Sequence, residues 1–228
     1  PIVLSNEVTI IGPGAFARTN ITSVTLPNSL VRIEGEAFSD CTSLQGQLSL
    51  PETLEYIGYQ AFLNCKLSGS LMLPNSLEYI GQGAFENNLF TGDLRIPDKI
   101  TELPESVFSG CSFNGNLDLN NIQSIGDNCF SNCGFQGELE IPEGVVIIRN
   151  KVFQGNTFTS IVFPSSLKSI EQDAFVENWK LSEQIVFPEG LVEIGSGAFA
   201  RCGKLQGIVL PSTLQIINEG AFFNCFYI

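Results

Sequence analysis

One pattern of apolar and polar positions recurs along the whole chain. Its clearest copy is residues 48–65, LSLPETLEYIGYQAFLNC, in which apolar residues alternate, then recur at every third position, and end in a small residue and a phenylalanine. A repeat of 22–24 residues in ten copies predicts a solenoid whose coils stack on one another. The phenylalanines that mark the copies are Phe16, Phe38, Phe62, Phe85, Phe108, Phe130, Phe153, Phe175, Phe199 and Phe222.

Each copy opens with an apolar–variable–apolar triplet, such as Leu48-Ser49-Leu50. A period of two predicts a short strand with two side chains inside and one outside. Proline usually follows and ends the strand, because it has no N–H to donate. Stacked strands form a parallel sheet with about 4.8 Å between neighbours, so ten coils extend roughly 45 Å.

Two further segments complete the coil. The stretch typified by Leu54-Glu55-Tyr56-Ile57 predicts a second short parallel strand, although its spacing of three also suits a helical turn. The small residue and phenylalanine that follow suggest a single helical turn that buries the ring between coils. The expected fold is a right-handed parallel β superhelix of ten coils of about 23 residues, with short strands and single helical turns.

Cysteine, asparagine and threonine alternate three positions after each phenylalanine. This substitution pattern is typical of a buried ladder in which the side chain bonds to turn backbone, and unlike disulfide partners or convergent zinc ligands. We therefore predict that all seven cysteines are reduced and buried. The ladder positions are Thr19, Cys41, Cys65, Asn88, Cys111, Cys133, Asn156, Asn178, Cys202 and Cys225.

Composition narrows the class of protein. The repeat is unbroken, so residues 1–228 are expected to form one domain of ten repeats that begins and ends in mid-pattern without caps. The net charge of −13 argues against a nucleic-acid partner. No apolar run is long enough for membrane insertion. The absence of histidine removes the commonest general base and metal ligand.

The repeat resembles the BspA-like leucine-rich repeat family, also called the Treponema pallidum type. The family pattern L-P-x-x-L-x-x-I-G-x-x-A-F-x-x-C appears almost letter for letter at 50–65 and 73–88, and copies cover the entire chain. The resemblance implies a cell-surface or secreted protein, mostly bacterial, that takes part in adhesion. It transfers no binding residue, because the motif describes the scaffold only.

The outward residue of each first strand is the candidate binding surface, because the scaffold leaves its type free. The column is charged in the centre and apolar near the C-terminus. Solvated charges and sheet-stabilising β-branched residues explain the same pattern without a ligand. The candidates are Met72, Asp93, Arg95, Asp118, Glu138, Glu140, Val162, Val186 and Val209.

Tyr56 and Tyr79 occupy equivalent positions, so their rings are expected to stack, either as a platform for a sugar or proline-rich peptide or as plain cross-strand packing. Asp118 and Glu140 resemble a glycosidase pair if they lie one strand apart, but an open sheet has no desolvated cleft. Calcium at the acidic positions lacks a loop motif. We expect that the protein is not an enzyme and that it binds neither a metal ion nor a cofactor.

The favoured hypothesis is a non-enzymatic binding module that grips a protein of a host or neighbouring cell, or a glycan, through the exposed sheet. A structural spacer, or an accessory repeat region of a larger enzyme or surface protein, remains the alternative. Neither the ligand nor the part of the sheet that binds it follows from the sequence.

Overall fold

The computed structural model describes residues 1–228 as a parallel-strand solenoid of about ten turns without helix. The second strand of every coil is present, in three ladders: Ile10–Ile11, Arg32–Ile33, Tyr56–Ile57 and Tyr79–Ile80; Glu102–Leu103 and Ser124–Ile125; Ile147–Ile148, Ser169–Ile170, Glu193–Ile194 and Ile216–Ile217. First strands pair as Ile2–Val3 with Val24–Thr25, Leu94–Arg95 with Leu117–Asp118, Gln136–Glu140 with Thr157–Val162, and Ile185–Val186 with Ile208–Val209.

The expected first strands of coils three and four, around Ser49 and Met72, are absent. In this part of the chain the coils pair earlier, through the strands Gln45–Gly46, Lys66–Gly69 and Leu89–Phe90. The linking glycines Gly46 and Gly69 have positive φ values of 83° and 78°, so the chain turns after these strands. Leu48 and Leu71 still point into the core. The predicted burial of Leu48 and Leu71 is therefore correct, whereas the predicted pairing of the first strands in these two coils is wrong.

The predicted helical turn around each phenylalanine is also wrong. In coil two, three overlapping four-residue turns span 34–41, and Glu36 and Asp40 adopt positive φ values of 57°. Every coil repeats this, with positive φ two residues before and two after its phenylalanine. The resulting conformation lets alternate N–H groups donate to the next coil, as Phe38 does to the Ala61 carbonyl at 2.8 Å. An α-helical turn aims its N–H groups along its own axis and cannot form this ladder.

The phenylalanines form one internal stack, as predicted. Neighbouring rings lie 5.0–5.8 Å apart and within 16° of parallel from Phe16 to Phe222. The eight internal rings are fully buried, whereas the two end rings are partly buried. A second set of rings meets the stack edge-on, as Phe113 meets Phe108 at 6.3 Å. Stacked and edge-on contacts are both favourable for aromatic rings.

The polar ladder satisfies the carbonyl groups of the phenylalanines. The Cys133 thiol donates to the Phe108 carbonyl of the preceding coil at 3.0 Å. The Asn88 amide donates to two such carbonyls, and its oxygen accepts the Leu67 N–H at 3.2 Å. Each of the seven cysteines is free, and six are buried, but Cys225 in the last coil is partly exposed, which corrects the prediction for that residue.

Removal of one ring of the stack tests the core. Phe108→Ala is expected to lower the free energy of unfolding by about 3–5 kcal/mol, because it leaves a cavity between two coils. Phe223 is 59% exposed, so Phe223→Ala is the matched control and should cost less than about 1 kcal/mol. Equal losses in urea unfolding would contradict the assigned register.

A second prediction concerns the column of buried cysteine, asparagine and threonine side chains. The Asn178 side-chain oxygen is buried and has no hydrogen-bond partner, whereas the oxygen of Asn88 has one. Replacement by cysteine keeps the thiol donor found elsewhere in the column but removes this oxygen. Asn178→Cys is therefore expected to be less destabilising than Asn88→Cys by about 1–2 kcal/mol, measured by chemical unfolding. The reverse order would show that the orphaned oxygen carries no cost.

Thiol reactivity tests the burial of the cysteines. Burial raises the pKa of Cys65, Cys111 and Cys202 to about 12, so almost no thiolate forms near neutral pH. We expect iodoacetamide at about pH 8 to modify Cys225 first and the six buried thiols only after unfolding, as mapped by peptide mass spectrometry. Early modification of Cys111 in the folded protein would refute this arrangement.

Candidate functional site

The outward residues of the first strands are exposed, at the positions given by the period-two pattern. Val162, Val186 and Val209 are 45%, 59% and 43% exposed, and Met72 is 72% exposed. Val186 pairs directly with Val209, and Val162 pairs with Glu140. Three successive coils therefore present valine beside the charged coils. Met72 lies apart from them, in the part of the chain where the first-strand ladder is absent.

Arg95 organises the charged part of the column. Its guanidinium contacts Asp98 at 2.7 Å and Asp118, its partner across the ladder, at 3.3 Å. The Asp98 carboxylate also accepts a hydrogen bond from the Asn120 amide, and the bonds from Asn120 and Arg95 lower the pKa of Asp98. All of these groups are solvent-exposed, so the ion pairs fix side-chain positions more than they stabilise the fold.

The remaining acidic candidates point to separate partners. Asp93 accepts the Asn116 backbone N–H at 2.7 Å, and Glu138 accepts the Ser160 hydroxyl at 3.2 Å. No group of three or more acidic, cysteine or histidine side chains converges as metal ligands. Asp93 thereby holds the backbone of a turn, and the acidic candidates do not form a metal-binding cluster.

Asp118 and Glu140 face each other across a boundary where the first strands do not pair. Together with Glu138 and Asn120 they line a shallow groove of about 330 Å³. The two carboxylates come from neighbouring coils, as expected, but all three acidic side chains of the groove are exposed. The groove is an acidic depression in the surface between the Arg95 ion pairs and the valines.

Tyr56 and Tyr79 stack as expected, with ring centres 4.8 Å apart and planes within 10°. Sequence reasoning missed Arg32, whose guanidinium lies 3.9 Å from the centre of the Tyr56 ring and is held by Glu34 at 2.8 Å. Desolvation by burial raises the pKa of Tyr56. Arg32 occupies the position in its coil that Tyr56 occupies in the next one, immediately before the second-strand isoleucine. This equivalence in the sequence could have indicated the contact.

A second aromatic contact was also missed. Lys180 and Lys204 lie 5.2 and 5.9 Å from the ring centre of Trp179, which is 52% exposed. These lysines occupy corresponding places in adjacent links, 24 residues apart. The spacing of the lysines was visible in the sequence, but their approach to one ring depends on the conformation of the link.

The repeat pattern and the ladder together decide the family. The family model described as BspA type leucine rich repeat region (6 copies) matches residues 9–133 and 115–228. The chain belongs to this family. The initial resemblance is thereby confirmed over nearly the whole sequence. No functionally curated protein matches the chain at a significant level.

Two solved structures share the fold. A leucine-rich repeat protein from Bacteroides ovatus is 22% identical, with a TM-score of 0.50, over 98% of this chain and 76% of the other. The pneumococcal vaccine antigen PcpA is 21% identical, with a TM-score of 0.57, over 90% of this chain and 56% of the other. At this identity the likeness concerns the fold alone. No helix of the structure is long and apolar enough to cross a membrane.

Proposed function

We propose that the chain is a non-enzymatic binding module of a cell-surface or secreted protein. In this proposal it recognises a protein of a host or neighbouring cell, or a glycan, through the first-strand face. The supporting observation is the row of exposed valines on coils eight to ten beside the charged coils five to seven. Apolar contact area bordered by polar groups is the usual composition of a protein-binding surface.

Val186 and Val209 are held in paired strands as well as exposed. The Val186 and Val209 strands pair in register, and their inward neighbours Ile185 and Ile208 pack into or against the core. Because the backbone of this surface is already ordered, a partner that binds here has to order few additional groups, which lowers the entropic cost of binding. The charged coils supply electrostatic steering more than affinity. We therefore assign the valines as the centre of the binding surface and Arg95 to Glu140 as its rim.

The arrangement supports binding in preference to catalysis. Asp118 and Glu140 lie in an open surface groove and not in the enclosed cleft in which general acid–base chemistry usually takes place. Surface location is supported by the PcpA antigen, which shares the fold, and by the family resemblance. The spacer hypothesis requires no exposed apolar row and is kept as an outcome of the test.

Adhesion of protein-coated beads to epithelial monolayers tests this proposal. Beads that carry the variant Val162→Ser/Val186→Ser/Val209→Ser are expected to adhere about tenfold less than wild type, because truncation at the centre of an interface removes most of its energy. The matched control is Val146→Ser/Ile147→Ser, which removes residues of similar exposure from the second-strand side. Thermal unfolding of every variant checks that the fold is retained.

The charged rim is tested in the same assay. Arg95→Ala/Asp118→Ala/Glu140→Ala is expected to reduce adhesion less than the valine variant and to change its salt dependence. Wild-type adhesion that no first-strand variant alters would support the spacer hypothesis. Treatment of the monolayer with trypsin or with glycosidases identifies the receptor as protein or glycan.

A further inference from the structure

The second-strand ladder breaks between coils four and five. One four-stranded ladder ends at Tyr79–Ile80, and another begins at Glu102–Leu103. In most other coils the residue after the second strand donates its N–H to the preceding coil, as Gly81 does to the Ile57 carbonyl at 2.8 Å. Coil five has Pro104 at this position, and proline has no N–H to donate. The proline therefore removes one hydrogen bond at this break, although a second break, between coils six and seven, has Arg149 at the same position.

The break lies against the open face of an aromatic stack. Tyr79 is 46% exposed and is backed by Tyr56, which is in turn backed by Arg32. The column does not continue with a third ring, because coil five carries Glu102 there. Tyr79 thus presents one supported ring face toward coil five, and the stack behind it fixes the orientation of that face.

A groove of about 390 Å³ occupies the space over coil five. This volume lies within the range of small-molecule sites, roughly 300–1,000 Å³. Tyr79 and Pro104 line the groove together with Lys99 and Glu78, which form an ion pair. The other polar side chains that line the groove are Thr101, Glu102 and Ser124.

We propose that this groove is a carbohydrate-binding subsite in which a pyranose ring stacks on Tyr79. The C–H bonds on one side of a pyranose are weakly positive and fit the negative face of an aromatic ring. The sugar hydroxyls both donate and accept hydrogen bonds, and Glu102 accepts, Lys99 donates, and Thr101 and Ser124 do both. A single aromatic ring face surrounded by hydrogen-bonding side chains suits a polyhydroxylated ligand.

A proline-rich peptide fits the groove less well. Such peptides dock into grooves lined by several aromatic side chains, and here only one ring is open to the groove. The Glu102 carboxylate and the Thr101 and Ser124 hydroxyls would also gain no hydrogen bond from a prolyl ring. The subsite lies on the second-strand side, so it is independent of the surface assigned to adhesion above.

The test uses the whole chain, biotinylated and assembled on streptavidin so that weak single-site binding gains avidity. The probes are immobilised neutral, N-acetylated and acidic oligosaccharides, with a hexaproline peptide on the same surface. We expect one class of oligosaccharide to bind. The monovalent interaction is then measured by saturation-transfer NMR with the methyl glycoside of its terminal sugar.

Tyr79→Leu is expected to weaken the monovalent interaction about tenfold, because it removes the ring face but keeps an apolar contact with Tyr56. Tyr59→Leu is the matched control, since Tyr59 is equally exposed and lies outside the groove.

The valine variants of the first-strand face should bind the sugar as wild type does, which separates this proposal from the proposed function. Absence of binding to every oligosaccharide would overturn it, as would unchanged affinity in Tyr79→Leu. Binding of hexaproline alone, lost in Tyr79→Leu, would assign the groove to peptides instead and likewise overturn the carbohydrate assignment.

Discussion

The structure depends on one constraint, which is that every coil must meet the next at a separation close to 5 Å. Two interactions at the same place enforce it: the phenylalanine rings stack at 5.0–5.8 Å, and the backbone N–H of each ring-bearing residue donates to the small residue of the next coil. The small residue is needed because it lies between coils, as the fully buried Ala61 does. Valine is also accommodated, because the Phe85 N–H still donates to the Val107 carbonyl at 2.9 Å and the rings of Phe85 and Phe108 stack at 5.6 Å.

The polar ladder follows from the same constraint. Adjacent turns leave carbonyl groups where water cannot reach them, and the polar side chain gives them a donor from the next coil in addition to the backbone N–H that several of them already accept, as Cys65 does for the Phe38 carbonyl. Cysteine, asparagine and threonine each place a donor there, so all three are accepted in one column. Cysteine serves as a small buried donor, and its raised pKa keeps it in the donating thiol form. The buried thiols are thus part of the scaffold.

Much of the fold was predictable from the sequence because the inward positions repeat with little variation. Phe108 and Cys133 were placed correctly, since their burial depends only on position in the repeat. The helical turn was wrong because Glu36 and Asp40 adopt positive φ, which non-glycine residues seldom signal. The absent strand at Met72 was missed because the alternation of apolar residues records burial, and pairing also depends on how the link turns.

The outward residues were predictable in position but not in role. Alternation alone places Val186 and Arg95 outside, yet the ion pairs of Arg95 involve Asp98 in the following turn, outside the column that was considered. The groove beside Tyr79 was harder still, because it arises from something the repeat lacks. Pro104 stands where most coils have glycine or another donor, and this substitution, which an averaged motif does not show, removes a hydrogen bond between two coils.

This contrast suggests where recognition arises in such a solenoid. A perfect ladder gives a uniform surface, and each coil then offers a partner the same spacing and little depth. A defect such as the one at Pro104 costs a few hydrogen bonds among more than a hundred, and the neighbouring ring stack keeps the coils aligned across it. The fold can therefore tolerate a local break, and the break supplies a concave site that regular repetition cannot produce.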